Sequence, residues 1–119
     1  MKQRTLEVLA RVQAVREAAA RRRLNAAAAA TEASRTEAAR LAEEEKQVRR
    51  QYEPGAAGVD PWLEHHASRY ADVLRVRERA AAEMLEKLEA EREAARLRIE
   101  KLLVKADAIE RKRREQGRG

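Results

Sequence analysis

The sequence predicts an all-α fold, an antiparallel two-helix coiled-coil hairpin closed by one short Pro/Gly turn. Three observations predict it. Both prolines and two of the four glycines fall in one nine-residue stretch, Glu53-Pro54-Gly55-Ala56-Ala57-Gly58-Val59-Asp60-Pro61. Charged residues make up 40% of the 119 and aromatics only 3%, with no Phe, so a wide globular core has nothing to fill it. What remains is rich in Ala, Glu, Arg, Leu and Lys with helical periodicity, the composition of long helices and coiled coils.

The first helix is expected over about residues 2–52. Thr5 is a candidate early cap. A stripe with steps of three and four runs through Leu6, Gln13, Ala20, Leu24, Ala27, Thr31, Ser34, Ala38, Leu41, Val48 and Tyr52, with gaps at its start and at Glu45. It is a heptad seam in which small and polar residues hold places usually given to Leu or Ile. The run Ala26–Ala30 is strong in helix propensity and weak in burial. Pro54 pushes the residue before it out of the α region, so the helix should end near Tyr52 or Glu53.

The turn is expected at 53–60. Asp60 followed by Pro61 reads as an N-cap with proline at the first helical position, and the second helix should run over about 61–114. Its seam reads Leu63, Ala67, Tyr70, Leu74, Arg77 and Ala81, then Leu85, Leu88, Arg92, Ala95, Ile99, Leu102, Ala106 and Ile109. This choice demands a one-residue phase slip between Ala81 and Leu85, where Met84 serves either register. Close opposite charges such as Glu83 with Lys87 add a few tenths of a kcal/mol each to an exposed helix. The glycine-containing basic tail, 115–119, is expected to be disordered. At ~1.5 Å per residue the two helices make a thin rod.

The net charge of +6 is unevenly placed. Residues 1–25 hold seven basic and two acidic side chains and residues 101–119 hold seven and three, whereas residues 53–70 hold one and three. In a hairpin the first two segments meet, so the open end is basic and the turn end mildly acidic, which suits an anionic partner at the open end. There is no Cys, which excludes disulfides and thiolate metal sites. No apolar run approaches the ~20 residues needed to span a bilayer, and the first residues show no apolar signal region. A soluble cytoplasmic protein is therefore expected.

Little in the chain suggests catalysis. His65 and His66 are adjacent, so on a helix they diverge by about 100° and do not form an i, i+4 metal pair. No phosphate loop or nucleophile triad is visible, and glutamates on a solvated rod have nothing to raise their pKa. No enzyme, cofactor, metal or small-molecule substrate is expected. The aromatics Tyr52, Trp62 and Tyr70 cluster near the turn. They close the hairpin, or with Leu63, Val73 and Leu74 form a docking patch, since Trp and Tyr are favoured interface anchors. The basic clusters Arg21-Arg22-Arg23 and Arg111-Lys112-Arg113-Arg114 can contact phosphate, but no aromatic is interleaved with them to stack bases. Nucleic acid is disfavoured against solvated charge or an acidic protein surface.

A charged, Ala-rich hairpin with a Gly-containing break, a Trp just after it, Tyr70 and Leu74 at one-turn spacing and a polybasic end resembles the FliJ/YscO (SctO) family of type III secretion, flagellar or injectisome. The resemblance covers nearly the whole chain. It implies a central stalk similar to the coiled coil of the rotary ATP synthase gamma subunit. Partners would be the hexameric secretion ATPase, the cytoplasmic domain of the export gate and export chaperones, in the cytoplasm beside the inner membrane. The gate surface would include Trp62, Leu63, Tyr70, Val73 and Leu74. The ATPase surface would include Arg21, Arg22, Arg23, Arg111, Lys112, Arg113 and Arg114. Two other readings stay open: an RNA-binding helical hairpin, similar in shape to the tRNA-binding arm of seryl-tRNA synthetase, and a structural coiled coil that assembles with itself.

Overall fold

The computed structural model describes residues 2–53, Gly58 and residues 60–118, without the side chain of Arg118. The chain is an antiparallel helical hairpin of two α-helices, α1 (Gln3–Gln51) and α2 (Pro61–Arg118), 49 and 58 residues long. α1 closes where the prolines require, its last bond running from the Tyr52 amide to the Val48 carbonyl (3.1 Å). α2 opens at Pro61 with Asp60 as N-cap, whose Oδ1 accepts from the Trp62 amide at 2.8 Å. Gly58 has φ +85°, a conformation costly for any residue with a Cβ. The remaining turn residues, Pro54–Ala57 and Val59, lie outside the described residues.

Three expectations about the helix ends and phase change. Thr5 is not a cap: the helix has begun by Gln3, and the Leu6 amide bonds the Lys2 carbonyl at 3.1 Å. Residues 115–118 are helical rather than a disordered tail. Ion pairs in the preceding turns, Arg111–Asp107, Arg113–Glu110 and Arg114–Glu110, carry the helix forward, and a single Gly117 costs a helix only about 1 kcal/mol. Gly119 lies outside the described residues.

The phase slip in α2 does not exist. The least exposed positions run Glu64, Ala67, Ala71, Leu74, Glu78, Ala81, then Leu85, Leu88, Ala95, Ile99, Leu102, Ala106 and Ile109. Steps alternate three and four throughout once the exposed Arg92 is counted in its place. Leu63, Tyr70 and Arg77, expected in the seam, are exposed, the first two at 43% each. Two stripes share Ala67, Leu74 and Ala81, and the one completed by Glu64, Ala71 and Glu78 faces α1. Small Ala71, 1% exposed, admits a close approach that Tyr70 would block. The α1 stripe is as expected, and its gaps are filled by half-buried Ala10, Glu17 and Glu45.

The described residues divide into two compact units. The first comprises residues 1–29 and 89–119. It buries Leu6, Ala20 and Leu102, and also Gln13, whose Nε2 donates to the Leu102 carbonyl across the helix pair at 2.7 Å. A polar group at such a place needs a partner, and this bond sets which residue of α2 faces Gln13. The second unit, residues 30–88, buries Thr31, Leu41, Ala71 and Leu74. Each fully buried leucine contributes roughly 1.5–3 kcal/mol, and the alanines far less.

Candidate partner-binding surfaces

The second unit carries the aromatic patch. On α2, the seam positions leave one flank to Trp62, Leu63, Tyr70 and Val73, with exposures of 64%, 43%, 43% and 46%. Leu74, one residue on, turns inward and is 0% exposed. The pair Tyr70 and Leu74 is therefore not one surface: the tyrosine is presented to solvent while the leucine is core, because four residues advance a helix past the flank onto the seam. Val76, 66% exposed, extends the patch by one turn. Sequence reasoning passed over it; its signal is the three-residue step from Val73.

Tyr70 is held rather than free. Its hydroxyl donates to Glu44 Oε1 on α1. Glu44 also accepts from Arg40 at 3.1 Å, and Arg40 grips Glu37 through Nε at 3.0 Å. The Glu44 carboxylate, together with partial burial, raises the Tyr70 phenol above its ordinary pKa. Such a chain fixes the ring's orientation before any partner arrives, which lowers the entropy cost of docking. Trp62 stacks obliquely on His66, centroids 4.2 Å apart, and His66 meets His65 edge-on at 5.7 Å. The histidines thus buttress the Trp. Among the described residues no group of three or more His, Cys, Asp or Glu is placed to hold a metal ion. A cleft beside this end is lined by Val48, Tyr52, Pro61, His65, Ala67 and Ala71, among others.

On the flank opposite the patch, a charged cluster gathers around Glu45, a seam position. Glu45, with only 15% of its side chain exposed, accepts from Arg49 Nε at 2.8 Å and lies 3.5 Å from Arg75 Nε of α2. Arg49 also reaches Asp72 at 3.5 Å. The Arg49 guanidinium holds the Glu45 carboxyl below its ordinary pKa, and Glu78 adds to that as a hydrogen-bond partner. The Glu45 carboxylate in turn pushes Glu78 upward, burial assisting. One oxygen of Glu78 is buried without a hydrogen-bond partner.

The basic clusters belong to the first unit, which holds seventeen basic and nine acidic residues against ten and twelve in the second. The structure does not bring the two clusters together. Arg113 lines a cleft with Glu7, Ala10, Arg11 and Ala14 of α1, which puts its cluster about three helical turns, or ~17 Å, from Arg21–Arg23. Three consecutive arginines also fan around the helix rather than share a face. Arg111, Arg113 and Arg114 are partly engaged by Asp107 and Glu110, while Arg21, Arg22, Arg23 and Lys112 are exposed. No helix among the described residues is long and apolar enough to cross a membrane. In comparisons with known proteins, no family model, no curated protein and no solved structure matches this chain.

Proposed function

We propose that the chain is a non-enzymatic stalk or adaptor of a type III secretion system, flagellar or injectisome, that contacts the secretion ATPase and the export gate and assists export chaperones. It would do so in the cytoplasm, beside the inner membrane. The observation that carries the reading is the exposed stripe of Trp62, Leu63, Tyr70 and Val73 on one flank of a charged hairpin. Large aromatic side chains held in place on a narrow support have the character of interface anchors. The +8 charge of the unit bearing both termini supports an acidic protein surface as its partner. Leu74, buried in the seam, contributes by placing Tyr70 and Val73 and not by touching the gate.

The test is reconstitution with a purified secretion ATPase and a purified export-gate cytoplasmic domain. The chain should bind both and raise ATP hydrolysis. Trp62→Ala with Tyr70→Ala should weaken gate binding about tenfold or more, as loss of a hot spot does, and spare the ATPase. Charge reversal at Arg21, Arg22 and Arg23 should do the opposite. If neither protein binds, or both double and triple variants bind normally, the reading is wrong.

A further inference from the structure

The first unit has two unlike sides. Flanking the seam on one side are Arg16 and Arg23 of α1 and Arg98, Lys101, Lys105 and Lys112 of α2, all exposed. A shallow inter-helix groove lined by Ala20, Arg23, Ala27, Glu91, Ala94 and Arg98, among others, shows that residues of both helices share this side. None of those six cations forms an ion pair with a described residue. Acids on this side are confined to Glu91 and Glu115, at its two ends. The opposite side holds the acids: Glu93 and Glu100 grip Arg96, Asp107 pairs with Arg111, and Glu110 pairs with Arg113 and Arg114. The unit's excess positive charge is thus concentrated on one side and left unmatched there.

The adjoining outer face of α1 also carries aliphatic residues where a solvated face would not. Val8, Leu9, Val12 and Val15 are 52%, 38%, 42% and 69% exposed. At i, i+1, i+4 and i+7 they fall within a sector of roughly 120° on α1. Arg16 and Arg23 fall within the same sector. A basic helix with an exposed aliphatic sector is the pattern of segments that lie in the plane of an anionic membrane.

We propose that this side docks on an anionic lipid bilayer. α1 leads, with Val8, Val12 and Val15 entering the headgroup boundary. The long side chains of Arg98, Lys101 and Lys105 reach down from α2 to lipid phosphates, their stems lying along the hydrocarbon edge. The chemistry favours lipid over the other polyanions. Single-stranded RNA is held by aromatic stacking, and all three aromatics of the chain lie in residues 30–88. An acidic helix seated in the groove would meet Glu91 at its rim and leave Val8 and Val15, outward on α1, uncovered. A planar surface reaches those outermost positions. A chain that bound neither a secretion ATPase nor an export gate would still carry this side.

The test is flotation of the full chain with vesicles. It should float with phosphatidylcholine vesicles containing about one-third phosphatidylglycerol, not with phosphatidylcholine alone, and be released by about 0.5 M salt. Lys101→Glu with Lys105→Glu should lower binding about tenfold or more. Arg21→Glu with Arg114→Glu, the same change in net charge on the other side, should alter it by less than about twofold. Val8→Ser with Val12→Ser and Val15→Ser should lower it severalfold while circular dichroism stays helical. Absence of flotation at low salt, or equal losses in the two charge-reversed pairs, overturns the proposal. So does capture by oligouridylate or polyglutamate with no capture by vesicles. The salt-dependent flotation of the unaltered chain decides the matter even where a variant loses its helix.

Discussion

The two units solve the same packing problem with opposite polar strategies. In residues 30–88 the flanks of the two helices answer each other: Tyr70 bonds Glu44, Arg75 approaches Glu45 and Arg49 reaches Asp72. In residues 1–29 and 89–119 the inter-helix tie is instead one buried amide, Gln13 to the Leu102 carbonyl. The ion pairs described in that unit run along α2 rather than across to α1. Exposed ion pairs contribute little each, so the contrast bears less on stability than on what is left over. The second unit has neutralised its flanks and presents aromatics. The first has left one flank of cations unmatched and presents them.

The comparison breaks most readily at the core. Leu74→Ala should cost about 2–4 kcal/mol, since a fully buried leucine is lost between two helices with few others. Thermal melts should show it, and hydrogen exchange should quicken across residues 30–88. If residues 1–29 and 89–119 exchange at their native rates meanwhile, the units open separately; a uniform loss would make them one cooperative body.

Next in size, Gln13→Leu should raise stability by about 1 kcal/mol, because it replaces a polar seam residue with an apolar one. The Leu102 carbonyl keeps its place in the α2 ladder. The expected cost is specificity: sedimentation should reveal self-association or a shifted pairing that the wild-type chain does not show. A stabilised variant that stays as the wild type would mean Gln13 does not set the register.

A smaller effect sharpens the electrostatic side. Glu78 has a raised folded-state pKa, so its contribution favours the fold at pH below the unfolded value and is lost as pH rises through the folded one. Glu78→Gln removes that loss and offers Glu45 an N–H. The variant should melt a few degrees higher at neutral pH, and the gain should fade as pH falls toward 4.5, the unperturbed carboxyl value. Glu45 has the opposite sign: its support, present at neutral pH, is lost as pH falls through its depressed pKa. A gain that persists unchanged in acid would place the effect in helix propensity instead.

The smallest expected effect is spectroscopic. Glu44→Gln should lower the pH at which the Tyr70 phenol ionises, read as tyrosinate absorbance with Tyr52→Phe as the background. The Glu44 bond stabilises neutral Tyr70, so its contribution holds below the unfolded pKa near 10 and disappears as pH rises through the folded value. An unchanged titration would mean the hydroxyl is not held from α1 in solution.

How much of this was legible depends on whether one residue or two had to agree. Asp60-Pro61 and Pro54 act on their own backbone, so the ends of both helices at the turn follow from local chemistry. The α1 stripe also follows, because no rival stripe competes with it. In α2 two stripes share Ala67, Leu74 and Ala81, and the apolar one, through Leu63 and Tyr70, is the more attractive by composition. It loses because its large side chains face away from α1 while Ala71 admits the close approach. The same error merged Tyr70 with Leu74 as one surface and concealed Val76.

The sequence by itself determined that this chain is two long helices joined at residues 53–60, since propensity, proline and capping act within a few residues of where they are written. It also determined that positive charge gathers near both termini. Only the tertiary structure decided which flank of α2 is core and which is presented. It also separated Arg21–Arg23 from Arg111–Arg114 and gathered the unmatched cations on one side of the first unit. These depend on the pairing of residues far apart in the chain, such as Gln13 with Leu102 and Tyr70 with Glu44. In a seam of alanine and polar residues no single position dictates that pairing; it emerges from the summed fit of both helices.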